Sequence, residues 1–380
     1  MDILVIGSGL SGAIIANGFA NEGKKVLVLE KRPNIGGNIY DLKENGVTKH
    51  VYGPHIFHTD NSRVAKYMEQ FWELNNYRNE VNASVRGEIV PIPFNFTSLE
   101  VFWPNQFEEI KELLINKYGA DKRVSVATLM SEKNPLLNKV ANFIFDNVFL
   151  NYTVKMWDKK PSEIDASVMS RVPMLVTGYA TTYFENKYEG IPKEGFTSAI
   201  AKMLDHKNIE VKLNVDATEV LKFKDQKIYL NNKEVKVPVV YSGPLDELFK
   251  YKHGVLKYRS LEIKFETLNQ EKFQDTAVVN YPAHPEMTRI TEYKTFLNEK
   301  SDVTILSREY PGDFDLKSDR FNIPYYPFAN DESREQHDVY MQMAKEYTNL
   351  VPVGRLATYR YLNMDQAIEI ALDKLKELQC

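Results

Sequence analysis

The sequence predicts an α/β chain in which a parallel sheet is opened by a glycine turn, interrupted by a helical insertion and joined to an antiparallel sheet. Three observations predict it. Residues 1–38 read as strand, glycine turn, helix and strand; apolar spacing shifts to three and four residues between 61 and 170; and short β-type runs alternate with Asn and Asp turns from 209 onward.

Ile3 to Ile6 is an apolar run of strong β propensity, Gly7-Ser8-Gly9-Leu10-Ser11-Gly12 is a GxGxxG turn, Ala13 to Ala20 continues with helical periodicity, and Lys25 to Leu29 ends at Glu30. The three glycines have distinct mechanical roles. Gly7 makes the tight turn, Gly9 lets backbone approach a pyrophosphate, and Gly12 lets the helix pack close on the sheet. Phosphates would sit on the free N–H groups and positive end of that helix, with Glu30 accepting hydrogen bonds from a ribose. The competing reading is a glycine turn that only packs. Strand, helix, second strand and terminal carboxylate all fall in register, which favours a dinucleotide.

Beyond Glu30, Lys31-Arg32-Pro33-Asn34-Ile35-Gly36-Gly37-Asn38 supplies a proline turn and a glycine pair. A glycine pair just past the ribose carboxylate suits a loop running beside a bound cofactor, and the arrangement resembles FAD-binding proteins more than NAD dehydrogenases, which moves the expectation to FAD. No second GxGxxG occurs, so the chain lacks the separate nicotinamide domain of flavin disulfide reductases. Either an external reductant serves or the reaction has no net redox change.

His50, His55 and His58 stand close together, but no cysteine or carboxylate cluster completes a metal site, and none is expected. An aromatic, polar loop lining a cofactor's face is the preferred reading, a histidine-containing strand end the plainer one. Arg63 to Leu74, Gln106 to Tyr118, Ser125 to Met130 and Pro135 to Phe149 are then expected as helices. Asn151 to Trp157 follows, with Tyr152 and Trp157 able to stack on a flat base. Ser170-Arg171-Val172-Pro173 sets a cation beside a proline turn, and Tyr183 to Pro192 is tyrosine-rich.

Phe196 to Leu204 reads as a helix. Ile209 to Leu213, Glu219 to Phe223, Lys227 to Leu230, Lys233 to Val237 and Val239 to Tyr241 read as strands, extended into an antiparallel sheet by Tyr258 to Phe265, Thr276 to Tyr281, Met287 to Tyr293 and Val303 to Tyr310. Asp331 to Tyr347 is an amphipathic helix, and Asn363 is placed to cap the last one, Met364 to Glu377. The expected domains are therefore 1–78 with 190–245 and 345–380, a discontinuous FAD-binding Rossmann-like unit; 79–189, a helical unit; and 246–344, an antiparallel sheet unit.

The 380 residues suffice for two or three domains, and 43% hydrophobic with 26% charged residues is ordinary for a soluble protein. A net charge of −4, with acids and bases interspersed, argues against a nucleic-acid or membrane surface. Cys380 is the only cysteine, which excludes an internal disulfide and a thiolate cluster and fits a reducing cytoplasm. No leader peptide or spanning segment is expected.

Taken together, GSGLSGA, EKRPNIGGN, YGPHIFHT, YTVKMW, SRVP, YFENKYEGIP, YSGPLDELF, YRSLEIKF, TRITEYK, YYP and GRLATYRY occur in the order, and nearly the spacing, of bacterial-type flavin-dependent UDP-galactopyranose mutases. The chain resembles that family over almost its whole length. The resemblance implies an isomerase that interconverts UDP-galactopyranose and UDP-galactofuranose on reduced FAD, through an adduct between flavin N5 and the sugar. It implies diphosphate binding by Arg171 and Arg289, with Arg259 as a third nearby cation. Tyr183, Tyr326 and Tyr361 would hydrogen-bond the phosphates, Asn79 and Asn280 the substrate, and Tyr152, Thr153 and Trp157 would form the platform for base and ribose. On the cofactor side it carries over Ser11, Glu30, Lys31, Gly37, Asn38, His55, Ile56, Arg355, Asn363, Met364, Asp365 and Gln366 beside the turn glycines, with His58 against the isoalloxazine. A homodimer built through the helical insertion also follows from it.

Three departures from the family pattern bear on substrate. Asn363 stands where members usually carry aspartate, Met156 replaces a glutamine before the tryptophan, and the segment between Asn280 and Arg289 is one residue shorter. A dTDP-fucopyranose or UDP-N-acetylgalactosamine mutase is therefore the nearest alternative. A flavin oxidase of the amine oxidase type, and a non-catalytic nucleotide-sugar binder, are alternatives of other classes.

Overall fold

The computed structural model describes residues 1–157, 173–177, 182–328 and 330–379. One sheet has five parallel strands in the spatial order Ile209–Lys212, Val26–Leu29, Ile3–Ile6, Val239–Tyr241, Leu350–Pro352. The opening strand is apolar throughout because both of its faces are covered. Ile3 and Val5 join the core that holds the helices Leu10–Asn21, Phe196–Leu204 and Met364–Gln379, while Leu4 and Ile6 face a second core on the other side. The last helix lies so close on the first that a Cβ added at Gly18 would stand 2.2 Å from Leu375 Cδ2.

A second sheet has seven strands in the order Tyr326–Pro327, Tyr258–Leu268, Thr304–Asp313, Arg289–Glu292, Val278–Asn280, Val81–Val85, Glu88–Ile92. Its pairs are antiparallel except that Val278–Asn280 runs parallel to Val81–Val85. Residues 81–92, expected inside the helical insertion, are thus the edge of this sheet. Val81, Ala83 and Val85 are buried while Asn82 and Ser84 are only half-buried, the period-two signature of a strand.

The expected run of strands from 209 to 310 does not form one sheet. Ile209–Lys212 and Val239–Tyr241 belong to the parallel sheet, and Leu221–Lys224, Lys227–Leu230 and Lys233–Val235 form a small sheet of their own. Glu219 and Val220 lie in a helical turn, Ala217–Val220, because Asp216 caps it through the Thr218 N–H at 2.7 Å.

The insertion holds Phe96–Phe102, Phe107–Tyr118, Val126–Met130 and Pro135–Ile144, three of them capped by the side chains of Asn95, Ser125 and Asn134. The helix expected to end at Phe149 continues instead, through a π-helical stretch Phe145–Leu150 into Asn151–Trp157. The helix expected from Arg63 to Leu74 spans only Ser62–Met68. Among the described residues no helix is long and apolar enough to cross a membrane.

Candidate active site

The glycine turn sits at the end of the central parallel strand, and its geometry follows the roles expected of it. Gly7 has φ +97, and a Cβ there would meet Ser242 Oγ at 2.2 Å; a Cβ on Gly12 would meet Gly7 O at 2.0 Å. Gly9 differs. Its added Cβ would meet nothing closer than Gly37 Cα, at 3.7 Å, and it opens the helix Leu10–Asn21 with no side-chain cap. The first N–H groups of that helix therefore face the cleft, where an anion can use them. The glycine pair is clipped onto the turn by the Gly36 N–H, which donates to Ser8 O at 3.1 Å.

Glu30, 5% exposed, ties this turn together: Oε2 accepts from the Ser8 N–H and Oγ, both at 2.8 Å, and Oε1 accepts from the Arg32 N–H at 2.9 Å. Each oxygen keeps lone-pair capacity for a ribose hydroxyl. Arg32, which the sequence pattern does not single out, lies 4.1 Å over the Tyr52 ring and donates to Asn38 Oδ1 at 3.0 Å. Its Nη1 is buried without a hydrogen-bond partner among the described residues, on the wall of the same cleft. An orphan donor beside uncapped helix N–H groups fits a diphosphate-bearing cofactor.

Gly7, Gly9, Ser11, Lys31, Gly37, Asn38, His55, Arg355, Asn363 and Met364 line this cleft together with Glu30. Gly12 lies beneath it, and Ile56, Asp365 and Gln366 support it from behind. Ile56 packs on the core, Asp365 accepts from Thr59 Oγ1 at 2.9 Å, and Gln366 Oε1 accepts from the Asn363 N–H at 2.9 Å, while the Gln366 N–H donates to Asp365 Oδ1 at 2.9 Å. Lys31 pairs with Glu247 across the rim at 2.7 Å. Burial, with help from His50 and Arg355, pushes the His55 imidazole down to about 3. Neutral, its Nδ1–H donates to Gly53 O at 2.8 Å, leaving Nε2 as an acceptor.

A second constellation adjoins the cleft on the large sheet. Asn280, Arg289 and Glu309 stand in one row across three strands. Arg289 Nε lies 2.8 Å from Glu309 Oε2, although the pair is not aligned as a hydrogen bond, and Glu309 is 1% exposed. Burial opposes the Arg289 charge, but Glu309, Tyr152 and Tyr326 more than offset it, so its pKa is raised. The same field reaches Tyr152, Tyr183 and Tyr326, whose phenols burial pushes upward while Arg289 pulls them down; Tyr183 comes to about 12. Tyr361 stacks on Tyr326 with ring centroids 5.4 Å apart, and Arg355 lies 5.7 Å and 5.4 Å from those two rings. One cation faced by three phenols thus borders the cofactor cleft, with Tyr361 stacked behind Tyr326 and Arg355 joining the two.

Asn79 and His58 reach this region through the strand Phe57–Thr59, paired with Tyr188–Gly190. Asn79, 4% exposed, donates its N–H to Glu189 Oε1 at 2.6 Å and accepts from the Tyr183 N–H through its backbone oxygen at 2.7 Å. His58 stacks on Phe184 at 3.8 Å and its Nδ1 lies 3.0 Å from Asn186 Oδ1. The amide nitrogen of Asn186 donates to Asp60, so the amide oxygen faces His58, whose Nδ1 carries the proton.

Arg259, expected beside the phosphates, turns part of its fork to structure: Nε donates to Met156 O at 2.7 Å, Nη2 to Lys155 O at 3.1 Å, and Nη1 to Asp313, which leaves one N–H on each Nη. The carbonyls at the end of the helix Asn151–Trp157 attract it, as C-terminal carbonyls attract any cation. Thr153 is buried at 7% exposure on that helix. Arg171 and the Trp157 side chain lie outside the described residues.

Sequence reasoning also misses Glu309 and the Phe184–Asn186 support of His58. Thr304 to Ser307 are all buried, so the strand shows no alternation that would mark Glu309 as inward-facing, and its partner across the sheet is not visible in one strand.

A glycine turn on a parallel sheet, facing a second sheet that presents a cation and phenols beside the cofactor cleft, defines a two-sheet flavoenzyme. The family profile described as UDP-galactopyranose mutase matches residues 147–361, and that of the NAD(P)-binding Rossmann-like domain matches residues 5–71. The chain is 37% identical to a UDP-galactopyranose mutase of Mycoplasma genitalium, over 99% of this chain and 94% of that one. It is 33% identical to a dTDP-fucopyranose mutase of Escherichia coli, over 98% and 96%. A crystal structure of reduced UDP-galactopyranose mutase superposes with a TM-score of 0.66 at 15% identity, covering 100% of this chain and 93% of that one. A putrescine oxidase shares the fold alone, with a TM-score of 0.58 at 11% identity, covering 100% and 98%. The chain belongs to the UDP-galactopyranose mutase family, and is accordingly an isomerase that uses FAD.

Proposed function

We propose that the protein interconverts the pyranose and furanose forms of a nucleotide-diphosphate sugar, with UDP-galactose as the substrate. The observation that carries this reading is Arg289, braced by Glu309 and faced by Tyr152, Tyr183 and Tyr326, with Tyr361 stacked on Tyr326, beside the cofactor cleft. When the bond between sugar and diphosphate breaks, negative charge grows on the phosphate oxygens. A planar donor fork already in place there stabilises that charge without reorganising. Burial holds the Tyr152, Tyr183 and Tyr326 phenols neutral, which keeps their O–H groups available as donors to the same oxygens.

Held by the glycine turn, Glu30 and Arg32, reduced FAD would supply the nucleophilic chemistry at the anomeric carbon. The remaining work falls to side chains. Arg171 is assigned as the second diphosphate cation, Asn79 and Asn280 as sugar contacts, Tyr152, Thr153 and Trp157 as the base and ribose platform, and His58 as the residue against the flavin ring. Arg259 acts indirectly, by holding the end of the platform helix. We assign the enzyme to the cytoplasm, as a homodimer formed through its helical insertion.

A second reading keeps the chemistry and changes the substrate to dTDP-fucopyranose. Met156 favours it: an apolar side chain bordering the base suits the methyl group of thymine. Dithionite-reduced protein incubated with each nucleotide sugar, followed by separation of pyranose from furanose products, decides between them. Furanose from UDP-galactose is expected; turnover of the dTDP sugar alone would replace the first reading by the second.

A further inference from the structure

Lys155 leaves the platform helix and ends among four backbone oxygens. Its Nζ lies 2.9 Å from Tyr281 O, 3.2 Å from Pro282 O, 2.6 Å from His284 O and 2.7 Å from Met287 O. Three N–H donors are shared among four carbonyls, the arrangement a coordinated cation would adopt. Burial lowers its pKa to about 8, which leaves the ammonium charged at neutral pH, and hydrogen bonds from a charged donor are the stronger kind.

The loop it enters joins the strands Val278–Asn280 and Arg289–Glu292, so it lies between Asn280 and Arg289. That loop also braces itself: the Tyr281 N–H donates to Thr288 O at 2.8 Å, and His284 Nδ1 accepts from the Met287 N–H at 2.8 Å. The backbone oxygen of Lys155 is meanwhile held by Arg259. Residue 155 is thus fastened to the large sheet at both ends, by its carbonyl and by its ammonium.

We propose that Lys155 is a positioning residue whose ammonium locks the helix bearing Tyr152 and Thr153 to the loop that aims Asn280 and Arg289, so that nucleotide recognition and diphosphate orientation are set as one unit. This rests on the function proposed above. The shortened loop gains its register from the cation rather than from its own length. A structural filler would need the four-carbon stem; this role needs the charge.

The test uses full-length holoenzyme carrying Cys380→Ser, which removes the native thiol, and reads UDP affinity by calorimetry on the oxidised protein as well as kcat and KM on the reduced protein. Lys155→Met should weaken UDP at least tenfold and lower kcat/KM at least a hundredfold, with the flavin spectrum unchanged. Lys155→Cys should behave alike. Aminoethylation of that cysteine rebuilds an ammonium at nearly the lysine length and should restore UDP affinity to within threefold, while carbamidomethylation should restore nothing.

Wild-type affinity in Lys155→Met, or equal rescue by the neutral reagent, overturns the proposal. Should the cysteine variant not fold, Lys155→Gln, whose amide still donates to the loop, is expected between wild type and Lys155→Met, and full affinity there overturns it too. Loss of FAD from every variant would assign the lysine to the fold as a whole and overturn it as well. Absence of furanose product in the unaltered enzyme would refute the substrate reading instead, and UDP affinity would still report on the ammonium.

Discussion

Arg289 and Glu309 stand directly opposite one another on adjacent antiparallel strands, Nε 2.8 Å from Oε2, and the second Glu309 oxygen is buried with no hydrogen-bond partner among the described residues. A fully buried acid with spare acceptor capacity beside the arginine of its row makes the cation's position, and not just its charge, part of the site. Glu309→Gln should therefore lower kcat at least tenfold. Loss of charge compensation should also cost about 1–3 kcal/mol of stability, read as a lower thermal midpoint of the holoenzyme.

Arg289→Ala removes the fork itself. Transition-state stabilisation of about 3–4 kcal/mol should disappear, about 10²–10³-fold in kcat, while the protein stays yellow because the cofactor cleft is built elsewhere. Arg289→Lys should recover little of it, since a point charge does not reproduce two parallel donors. Single-turnover rates with reduced enzyme check both variants.

Gly9→Ala and Gly12→Ala should fail differently. The Gly12 Cβ would stand 2.0 Å from Gly7 O, so the turn cannot form and the fold is lost. The Gly9 Cβ has ordinary room against Gly37 but occupies the face that a diphosphate needs. Gly9→Ala should therefore show near-native circular dichroism and no bound flavin.

Acid should destabilise the protein through His50. It is 1% exposed, among Phe196, Tyr293 and Phe296, and burial pushes its imidazole down to about 3 from the ordinary 6.5. Below 6.5 the unfolded chain takes up a proton that the fold refuses. Stability is thus intact above that pH and falls below it, by about 1.4 kcal/mol per pH unit for this one group at full slope. Asp246 opposes it: burial pushes that carboxyl up to about 6 from 3.8, so between those values protons bind the fold preferentially. Denaturation midpoints against pH should flatten below 6.5 in His50→Phe and steepen below 6 in Asp246→Asn.

Asn363 lines the cofactor cleft at the position where the family pattern carries a carboxylate. Asn363→Asp adds a negative charge there, which disfavours the reduced, anionic cofactor. The midpoint potential of bound FAD should become more negative, measured by dye-coupled titration, with the fold unchanged because either side chain suits the start of a helix.

What can be read in the sequence is local. Gly7, Gly9, Gly12 and Glu30 announce themselves because turn, helix and strand adjoin in the chain, and every one of them takes part in the glycine turn. The partnership of Arg289 with Glu309 cannot be read, since it depends on the register between two strands. Arg259 shows a different limit: a cation's role is decided by where its donors go, and the carbonyls of Lys155 and Met156 are contributed by a helix end a hundred residues earlier. The strand Val81–Val85 is hidden by the prolines that follow a short alternating pattern. Arg171, central to the expected chemistry, lies outside the described residues.

The cofactor cleft takes one wall from residues 6–39 and another from residues 354–367, and the last helix seals the first where Leu375 fills the space beside Gly18. A ribosome must therefore deliver almost the whole chain before both walls exist, so flavin capture comes late in synthesis, after the sheets have had to find one another without it. A chain cut short ahead of residue 354 would lack that second wall, Arg355, Asn363 and Met364 included, and should be recovered without the yellow of bound flavin.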